Sequence, residues 1–436
     1  MLTDLSTKRI VVAGLGISGR ACLRFLASQR AQVSAWDTRE QLTLDSEIGV
    51  PVTLGQPPAG FWDTVDMLVL SPGIALDNPL LAPVRERDIE ILGEIELFAR
   101  FNQVPVLGVT GSNGKTTVTL LTHHILSEAG LRSAAAGNVG TPAVDTLNQP
   151  LDIIVLELSS FQLETTSHLA LAGATILNVS DDHLDRHKTL AAYAEAKQRI
   201  YNHADHALAW RDQQLTYPLP LAVSISEFGL QHSATDFGLT DNWITWQGEP
   251  LVDTTKVQLM GAHNILNIQA ALGLAIIAGV TPAVAAQAVY SFASVAHRCV
   301  PVSQAGGITW IDDSKATNVG ATIAAIEGLG RQRTGKLILI AGGDAKGADV
   351  TALQPYLSDY VDALITLGRD GPAIAALKAG AEQTSSMSQA VAAARRLAAP
   401  GDTVLLSPAC ASLDMFKNYE HRAQAFAQAI TGAVSC

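Results

Sequence analysis

The sequence has few cysteines, and they lie far apart. Among its 436 residues there are four, Cys22, Cys299, Cys410 and Cys436, and none forms a C-x-x-C pair. Structural zinc sites and disulfide frameworks need closely spaced cysteines, so neither is indicated. Isolated thiols are typical of a reducing compartment, and the first ten residues lack the apolar core of a signal peptide. The sequence therefore predicts a cytoplasmic protein.

Basic side chains and long apolar runs are also scarce. The chain has 29 Lys and Arg against 41 Asp and Glu, a formal net charge of −12. General nucleic-acid binders and anionic-membrane binders need a basic surface, so neither class is expected. The apolar run at 268–280 is too short to span a bilayer, so no membrane insertion is expected. Small anionic ligands are compatible, because a local basic pocket can occur in an acidic protein.

Apolar residues make up 48% of the chain and charged residues 16%, a composition typical of a folded globular protein. A chain of 436 residues is too long for one ordinary hydrophobic core, so two or three domains are expected. Strand-like runs alternate with helical patterns, which indicates an α/β fold. The exception is 202–258, where short runs near 241–257 indicate antiparallel β structure.

The stretch 104–117, VPVLGVTGSNGKTT, is the strongest functional signal. An apolar strand leads into a turn opened by Gly111 and Gly114, and a helical pattern follows Lys115. Glycines allow backbone N–H groups to converge on an anion at the start of a helix, as in a phosphate loop. In that arrangement Lys115 pairs with the terminal phosphates of a nucleotide, and the Thr116 hydroxyl binds Mg2+.

The spacing is tighter than in the usual phosphate loop, which would place a glycine at Val109. The segment reads T-G-x-x-G-K-T-T instead. The alternative interpretation is an ordinary strand, turn and helix with an exposed lysine. The apolar strand before the turn and the helical spacing after it favour the phosphate loop.

A second glycine turn, G-x-G-x-x-G, occupies 14–19 between a strand-like run and a helical pattern. The next strand is followed by Asp37, Thr38 and Arg39, so an acid lies about 20 residues beyond the turn. The pattern is typical of dinucleotide-binding folds, but a nucleotide sugar can place its pyrophosphate at the same helix N-terminus. A third strand, 66–70, runs into the segment 71–74 at the same expected sheet edge. A purely structural turn is the remaining alternative.

Polar residues follow the strands next to the phosphate loop. The run 152–158 carries Glu157 near its end, where a carboxylate is expected to bind Mg2+. The strand at 174–179 leads into SDDHLDRH, which indicates a metal or anion site or, alternatively, a solvated surface loop. A helical pattern begins near residue 261 with Asn264 and Asn267 on one face, either as capping residues or as ligand contacts.

The sequence beyond residue 298 predicts a second α/β unit. Strands are predicted at 308–311, 337–341, 363–367 and 403–407. Three of them are followed by segments rich in polar side chains, at 312–318, 342–346 and 407–412. Because parallel strands end at one edge of a sheet, these segments are expected to share a ligand-binding edge.

Taken together, the motifs resemble those of one family. In order between residue 10 and about residue 425, they are TGSNGKTT, ELSS, DDHLDRH, HR, DSKATN and SPACASLDMFKNY. This set resembles the Mur ligases of peptidoglycan synthesis, and the last two motifs resemble the branch that adds D-glutamate. Sister branches and folylpolyglutamate synthase carry other sequences where this chain has Asp313, Ser314 and Lys315. Tyr419 is one departure, because phenylalanine is common at that position.

The resemblance implies an α/β fold with three domains. Residues 1–93 would form a Rossmann-like domain for the UDP substrate, and 94–297 a P-loop ATPase-like domain with a mostly parallel sheet. Residues 298–436 would form a Rossmann-like domain that closes over ATP and the amino acid. The resemblance also implies a monomeric ligase of peptidoglycan precursor synthesis. Its substrates would be UDP-N-acetylmuramoyl-L-alanine, D-glutamate and ATP, with two Mg2+ ions and a carbamylated Lys197.

The resemblance further implies roles for particular residues. Around ATP it implies Gly111, Ser112, Asn113, Gly114, Lys115, Thr116, Thr117, Asn264, Asn267, Arg298 and Asp313. For the UDP substrate it implies Leu15, Gly16, Asp37, Thr38, Arg39, Ser71, Gly73 and Asn138. For D-glutamate it implies Thr317, Lys346, Ser412, Leu413 and Tyr419. As metal ligands it implies Thr116, Glu157, His183 and the Lys197 carbamate. As catalytic residues it implies Lys115, His183, Lys197 and Lys315.

Lys197 has a competing interpretation. It lies in the alanine-rich pattern at 189–201, where it could be an exposed lysine that pairs only with Glu195 or solvent. A lysine next to a divalent cation is repelled as an ammonium, which lowers its pKa and leaves an amine that attacks CO2. The carbamate formed is an anionic oxygen ligand of the kind Mg2+ prefers.

Two other classes of function are compatible with parts of the sequence. A regulatory switch that hydrolyses ATP would use the phosphate loop, and a dehydrogenase would use the first glycine turn with NAD(P). ADP release that depends on both the UDP substrate and D-glutamate separates a ligase from the switch. Absence of NAD(P)H binding excludes the dehydrogenase.

Overall fold

The computed structural model describes residues 4–43, 49–219, 223–259, 261–293, 296–331 and 333–432. Three sheets of five or six strands follow one another along the chain, each accompanied by helices, and a small antiparallel sheet lies between the second and third. Each large sheet with its helices is called a unit below: the first, the central (second) and the third. This confirms the predicted α/β class. Among the described helices, none combines the length and apolar character needed to cross a bilayer. Cys22, Cys299 and Cys410 are free thiols, and Cys436 lies outside the described residues.

The first sheet is parallel, with strand order β3-β2-β1-β4-β5. Its strands are β1 (Arg9–Ala13), β2 (Gln32–Asp37), β3 (Val52–Leu54), β4 (Met67–Leu70) and β5 (Glu90–Leu92). Its helices are α1 (Ile17–Ser28), α2 (Ala82–Glu86) and α3 (Glu94–Phe101). Because the strands all point the same way, the glycine turn after β1 and the loops after β2 and β4 meet at one edge.

The central sheet is also parallel, with strand order β11-β10-β9-β6-β8-β7. Its strands are β6 (Val106–Thr110), β7 (Ser133–Gly137), β8 (Ile153–Glu157), β9 (Gly173–Ile176), β10 (His206–Trp210) and β11 (Ser224–Phe228). Its helices are α4 (Lys115–Glu128), α5 (Ser160–Glu164), α6 (Leu184–His187), α7 (Leu190–Gln198), α8 (Ala262–Ile277) and α9 (Pro282–Val289). The phosphate-loop strand β6 lies between β8 and β9, so the polar segments after all three strands are neighbours.

The antiparallel structure predicted near 241–257 is confirmed. It is a three-stranded sheet of β12 (Phe237–Thr240), β13 (Trp243–Trp246) and β14 (Glu249–Asp253). Its inward residues, such as Phe237 and Ile244, belong to the same apolar cluster as α4 and α8. The small sheet therefore extends the central core and does not form a separate one.

The third sheet has strand order β15-β16-β20-β17-β18-β19 and is parallel except for β15 at its edge. Its strands are β15 (Val300–Ser303), β16 (Thr309–Asp312), β17 (Leu337–Ala341), β18 (Ala363–Thr366), β19 (Glu382–Gln383) and β20 (Thr403–Leu406). Its helices are α10 (Val319–Gly330), α11 (Gln354–Tyr360), α12 (Gly371–Ala375), α13 (Met387–Leu397) and α14 (Tyr419–Thr431). The four predicted strands of this unit are confirmed, and their polar ends share one edge.

One apolar cluster joins the first and second sheets. It contains Leu26 of α1 and Phe98 of α3 together with Leu156 of β8 and Tyr201 beyond α7. Hydrophobic packing therefore runs across the boundary expected near residue 93, and the domain limits at 93 and 297 stay a prediction. The third sheet has its own clusters on its two faces.

We expect Gly19→Ala to destabilise the first unit, whereas Gly16→Ala is a matched control. A Cβ on Gly19 would lie 1.8 Å from the Gly14 carbonyl oxygen, but one on Gly16 meets no atom within 4 Å. The clash forces α1 away from the turn at a cost of roughly 1–3 kcal/mol. Thermal unfolding followed by circular dichroism measures the difference. Equal melting temperatures for the two variants would contradict the close packing of α1 on the turn.

Candidate active site

The phosphate loop connects β6 to α4, as the sequence predicted. Gly111 and Gly114 have positive φ angles of 152° and 85°, and a Cβ on Gly114 would lie 2.4 Å from the Asn267 side-chain oxygen. The Lys115 ammonium donates hydrogen bonds to the carbonyl oxygens of Gly111 at 2.7 Å and Ser112 at 2.9 Å. Burial lowers the pKa of this ammonium. The alternative of an exposed lysine on an ordinary turn is therefore wrong.

Glu157 ends β8 beside the phosphate loop and is buried. Its Oε1 accepts a 2.6 Å hydrogen bond from the side-chain amide of Asn138, which the resemblance had grouped with the UDP substrate. Its Oε2 is buried and has no hydrogen-bond partner within the described ranges. A buried carboxylate oxygen without a partner is costly, and a cation would satisfy it. Glu157, with the Thr116 hydroxyl at the start of α4, therefore fits a Mg2+ site.

Lys197 is not a surface lysine, because its residue is only 1% exposed. Its side-chain nitrogen donates a 2.9 Å hydrogen bond to the Gly111 carbonyl oxygen and lies 4.3 Å from the centre of the Tyr193 ring. Burial, followed by the charge of Lys115, lowers the pKa of Lys197 well below its ordinary value. The interpretation of Lys197 as an exposed partner of Glu195 is wrong, and its amine faces the phosphate loop.

The acidic and histidine-rich segment after β9 is only partly solvated, because Asp181 and Asp185 are exposed whereas Asp182 and His187 are buried. Asp182 pairs with Lys346 from the third sheet and accepts a 3.1 Å hydrogen bond from the Asn318 amide. Burial acts to raise the pKa of Asp182, but the charge of Lys346 and hydrogen bonds from Lys346 and Asn318 bring it below its ordinary value. Burial lowers the pKa of His183 to about 4, which leaves a neutral imidazole, the form that binds metals.

The loop after β16 reaches the phosphate loop. The Lys315 ammonium donates a 2.8 Å hydrogen bond to the Thr116 hydroxyl, and the Asn318 amide donates one of 3.0 Å to the Asn113 side-chain oxygen. Burial and then the charge of Arg298 lower the pKa of Lys315 to about 8. The third unit is therefore closed onto the central one through polar side chains.

The loops after β17 and β20 are paired with each other. The Asp344 N–H donates to the Ala411 carbonyl oxygen at 3.0 Å, and the Ala411 N–H donates back at 2.8 Å. These two hydrogen bonds hold the segment that contains Lys346 beside the segment that contains Ser412. The Ser412 residue is buried.

The remaining residues predicted for D-glutamate lie at the same sheet edge. Thr317 follows Lys315 in the loop after β16, where the Thr317 N–H donates to the Lys315 carbonyl oxygen at 2.9 Å. Tyr419 begins α14, and its ring centre lies 5.3 Å from the Lys315 ammonium nitrogen. The Leu413 side chain faces outward, since the residue is 73% exposed.

A cavity of about 270 Å3 opens next to the phosphate loop. Seven of the eleven residues predicted for ATP line it: Asn113, Gly114, Thr117, Asn264, Asn267, Arg298 and Asp313. Asn264 and Asn267 lie inside α8, where the Asn267 amide donates to the Asn264 side-chain oxygen at 3.0 Å, and Gly261 is the capping residue. The interpretation of the two asparagines as helix caps is therefore wrong. The aromatic wall of the cavity includes Trp210 and Phe228.

The first sheet presents a second candidate site at its carboxyl edge. Asp37 ends β2 and accepts a 2.8 Å hydrogen bond from the Leu15 N–H in the glycine turn. Arg39 donates to both Asp37 oxygens at 2.8 and 2.7 Å, which lowers the pKa of this carboxyl to about 2. The Ser71 hydroxyl donates to the Gly14 carbonyl oxygen at 2.9 Å. The structure thus brings together the turn at 14–19 and the loops that hold Thr38 and Gly73.

Three family models match the chain in order. They are described as "Mur ligase MurD-like, N-terminal domain" at residues 8–93, "Mur ligase middle domain" at 109–275 and "Mur ligase, glutamate ligase domain" at 297–410. The chain belongs to the Mur ligase family.

Curated relatives of this Mur ligase match along nearly the whole chain. Three of them are named UDP-N-acetylmuramoylalanine--D-glutamate ligase. The protein of Idiomarina loihiensis is 42% identical over 98% of this chain and 97% of its own length. That of Pseudomonas putida is 43% identical over 97% of each chain. That of Shewanella oneidensis is 44% identical over 95% of this chain and 96% of its own length.

Solved structures of other Mur ligases share the fold. A MurF from Acinetobacter baumannii has a TM-score of 0.65 at 18% identity and covers 97% of this chain and 93% of its own. A UDP-N-acetylmuramate-alanine ligase from Thermotoga maritima has a TM-score of 0.64 at 18% identity and covers 98% of this chain and 100% of its own. Identities this low support the shared fold and no detail of the site.

Sequence reasoning missed several residues of the Mur ligase site. Asn318 was hidden by a local role, because its side chain also caps α10 by accepting from the Ala321 N–H. Asp182 stands in a quoted motif, but its pairing with a lysine of the third unit has no sequence signal. Trp210 and Phe228 are the last residues of two strands of the central sheet. In the sequence, an aromatic residue at the end of a strand indicates core packing and gives no sign that it lines a cavity.

We expect Asp313→Asn to stabilise the ligand-free Mur ligase at neutral pH. Burial raises the pKa of Asp313 to about 7 in the folded chain, against 3.8 as its ordinary value. The folded state binds more protons between these values, so stability falls as pH rises from about 4 to about 7. The asparagine variant loses this dependence. Its melting temperature should exceed that of the wild type by roughly 3–6 °C near pH 8 and by much less near pH 4.

Asp402→Asn is the control with the opposite sign. Burial acts to raise the pKa of Asp402, but hydrogen bonds from the N–H groups of Ala399 and Lys336 bring it below its ordinary value. This carboxylate therefore contributes stability above its unfolded pKa that is lost as pH falls. The variant is expected to melt lower near pH 8. Equal and parallel shifts for the two variants would contradict the buried state assigned to Asp313.

Proposed function

We propose that this Mur ligase adds D-glutamate to UDP-N-acetylmuramoyl-L-alanine, with release of ADP and phosphate. The observation that carries the proposal is a sequence identity of 42–44%, over at least 95% of the chain, to proteins named UDP-N-acetylmuramoylalanine--D-glutamate ligase. Mur ligases are ATP-dependent amide ligases, and the closed arrangement of phosphate loop, carboxylates and lysines suits that chemistry. The reaction would be a step of peptidoglycan precursor synthesis. The enzyme would act in the cytoplasm as a monomer.

The reaction needs activation because a carboxylate is a poor acyl donor. ATP transfers its terminal phosphoryl group to the carboxylate of UDP-N-acetylmuramoyl-L-alanine and forms an acyl phosphate. The amine of D-glutamate then attacks the acyl carbon, and a tetrahedral intermediate collapses with loss of phosphate. Both steps build negative charge on oxygen atoms. Lys115, Lys315 and Lys346 converge on that region and are the groups that stabilise the charge. Closure of the third unit excludes water, which would hydrolyse the acyl phosphate.

The metal ligands are assigned from the central unit. Glu157 offers its Oε2, which has no hydrogen-bond partner among the residues that the structure describes. Thr116 offers its hydroxyl once Lys315 turns toward phosphate. A bound Mg2+ neutralises phosphate charge and holds the oxygens in place. We assign a second ion to His183 and a carbamylated Lys197. The buried Lys197 amine supports this assignment, because a depressed pKa leaves it neutral and nucleophilic toward CO2.

Binding of the substrates is assigned to the two outer units. The UDP end lies on the first sheet, at Leu15, Gly16, Asp37, Thr38, Arg39, Ser71 and Gly73, and Asn138 contacts the substrate where it reaches Glu157. D-Glutamate lies among Thr317, Lys346, Ser412, Leu413 and Tyr419, with His183 close by. In the ligand-free chain Lys346 is paired with Asp182, so a substrate carboxylate competes with Asp182 for the ammonium.

Phosphate release from ATP is expected to need both UDP-N-acetylmuramoyl-L-alanine and D-glutamate. L-Glutamate and D-aspartate should support much lower rates, because a changed carboxylate position leaves a buried cation unpaired at a cost of roughly 1–3 kcal/mol. A phosphate-release assay across amino acids measures the preference. Equal rates with D-aspartate would contradict the assigned pocket.

The same assay distinguishes the rival functions. Lys115→Ala should keep its circular dichroism spectrum and lose turnover by an amount equivalent to about 3–4 kcal/mol. Phosphate release from ATP alone at the full rate would favour the ATP-hydrolysing switch. Binding of NAD(P)H would favour the dehydrogenase.

Lys197→Ala is expected to lose most activity and to regain part of it with added acetate or formate, which replace the missing carbamate. The variant should also need more Mg2+ for half-maximal rate. Carbon-13 NMR with labelled bicarbonate should show a carbamate signal in the wild type that the variant lacks. Lys188→Ala is the matched control, because Lys188 is an exposed lysine just before α7. Full activity of Lys197→Ala at ordinary Mg2+ would refute the carbamate.

A further inference from the structure

The loop after β4 is held from two sides. Within the first unit, the Ser71 hydroxyl donates a 2.9 Å hydrogen bond to the Gly14 carbonyl oxygen. From the central unit, Nη1 of Arg186 in α6 donates a 2.8 Å hydrogen bond to the Pro72 carbonyl oxygen. This loop also carries Gly73. A side chain of the central unit therefore reaches across to a loop assigned to the UDP end of the substrate.

The guanidinium of Arg186 is itself fixed in place. Its Nη2 pairs with the carboxylate of Glu164 at the end of α5, and its central carbon lies 4.2 Å from the centre of the Phe161 ring. The side chains of Arg186 and Glu164 are only 15% and 20% exposed. An ion pair and a ring contact together hold a partly buried guanidinium in one orientation. The Pro72 contact is thus made by a rigid group.

The ring beneath this guanidinium connects it to the central site. Phe161 meets the His183 ring edge-on with centres 4.8 Å apart, and it stacks on the His187 ring at 5.5 Å. His187 Nε2 lies 3.0 Å from the Ser160 hydroxyl. Ser160 begins the short helix after β8, three residues beyond Glu157. One packed cluster therefore extends from the Pro72 carbonyl to the end of the strand that carries the metal-site carboxylate.

We propose that Arg186 is a positioning residue that fixes the loop at 71–73 relative to the phosphate loop. A substrate anchored at its UDP end then presents its far carboxylate beside Glu157. The inference rests on the proposed function, because only a substrate that spans both units needs this spacing. If the loop is misplaced, the two ends of the substrate cannot both reach their sites, so the affinity for the whole substrate falls although the UDP end still binds. The shared apolar core sets the general placement of the first unit, and Arg186 sets this loop.

Arg186→Lys tests the proposal because lysine keeps the charge but cannot hold Pro72 and Glu164 together through a planar fork. We expect the KM for UDP-N-acetylmuramoyl-L-alanine to rise about tenfold, from loss of one charge-assisted hydrogen bond. The Kd of UDP alone, measured by calorimetry, and the KM values of ATP and D-glutamate should stay within about twofold of the wild type. A change in the KM of the UDP substrate alone separates a positioning role from a general loss of structure, which would change all of these constants.

Arg199→Lys is the matched control. Arg199 is also partly buried in the central unit and donates to the carbonyl oxygens of Leu163 at 2.6 Å and Thr166 at 2.9 Å. Its variant is expected to leave all KM values within about twofold of the wild type.

Glu164→Gln provides a second, milder test that does not depend on the folding of Arg186→Lys. It removes the charge that orients Arg186, and we expect the KM for the UDP substrate to rise about threefold. The double variant should show less than the product of the two single effects, because both act through one contact.

Two outcomes would overturn the proposal. One is an unchanged KM for the UDP substrate in both Arg186→Lys and Glu164→Gln. The other is an equal loss of affinity for UDP alone, which would make Arg186 part of the UDP pocket and not a spacer. Phosphate release by the wild-type protein without D-glutamate would count against the proposed function. The assay on the wild type therefore separates failure of the proposed function from failure of the Arg186 proposal before any variant is made.

Discussion

Positive charge held inside the protein is the constraint on which the central site depends. Lys115, Lys197 and Lys315 gather around one loop, and burial lowers the pKa of each. The carboxylates of Glu157 and Asp182 offset part of this charge. In the ligand-free chain, backbone carbonyls and a hydroxyl accept hydrogen bonds from the side-chain nitrogens of these three lysines, and such neutral groups are weaker partners for a cation than phosphate. A buried cluster of this kind is costly by itself and becomes favourable when anionic phosphates enter.

The two junctions between the units differ in their physical nature. Apolar packing joins the first unit to the second through a continuous core, so their separation would expose hydrophobic surface. The third unit meets the second through polar contacts, including those of Lys315 with Thr116 and of Lys346 with Asp182. Substrate oxygens can replace such contacts at little cost. A bound ligand can therefore replace contacts at the junction of the third unit more easily than at the apolar junction of the first.

Much of the fold and part of the site could be predicted from the sequence. Parallel strands place the residues that follow them at one edge, so Lys115, Glu157 and Asp37 were found from strand ends alone. Asn318 and Asp182 were placed only within polar segments, and their contact was not predicted because it joins positions 136 residues apart. Arg186 was missed for the same reason, since its partner Pro72 belongs to another unit. Long-range pairing of polar side chains leaves no periodic trace in one sequence.

Lys197 shows most clearly which properties the sequence determined and which the tertiary structure decided. The sequence by itself determined that a lysine stands on an alanine-rich helix after a polar loop, and its chemistry as an amine. The side chains of that helix give no apolar stripe strong enough to say which face turns inward. Only the packing of α7 against α5 decided that this amine lies buried at the Gly111 carbonyl. Strand ends are set by local hydrophobic pattern, whereas the orientation of a weakly amphipathic helix is set by its neighbours.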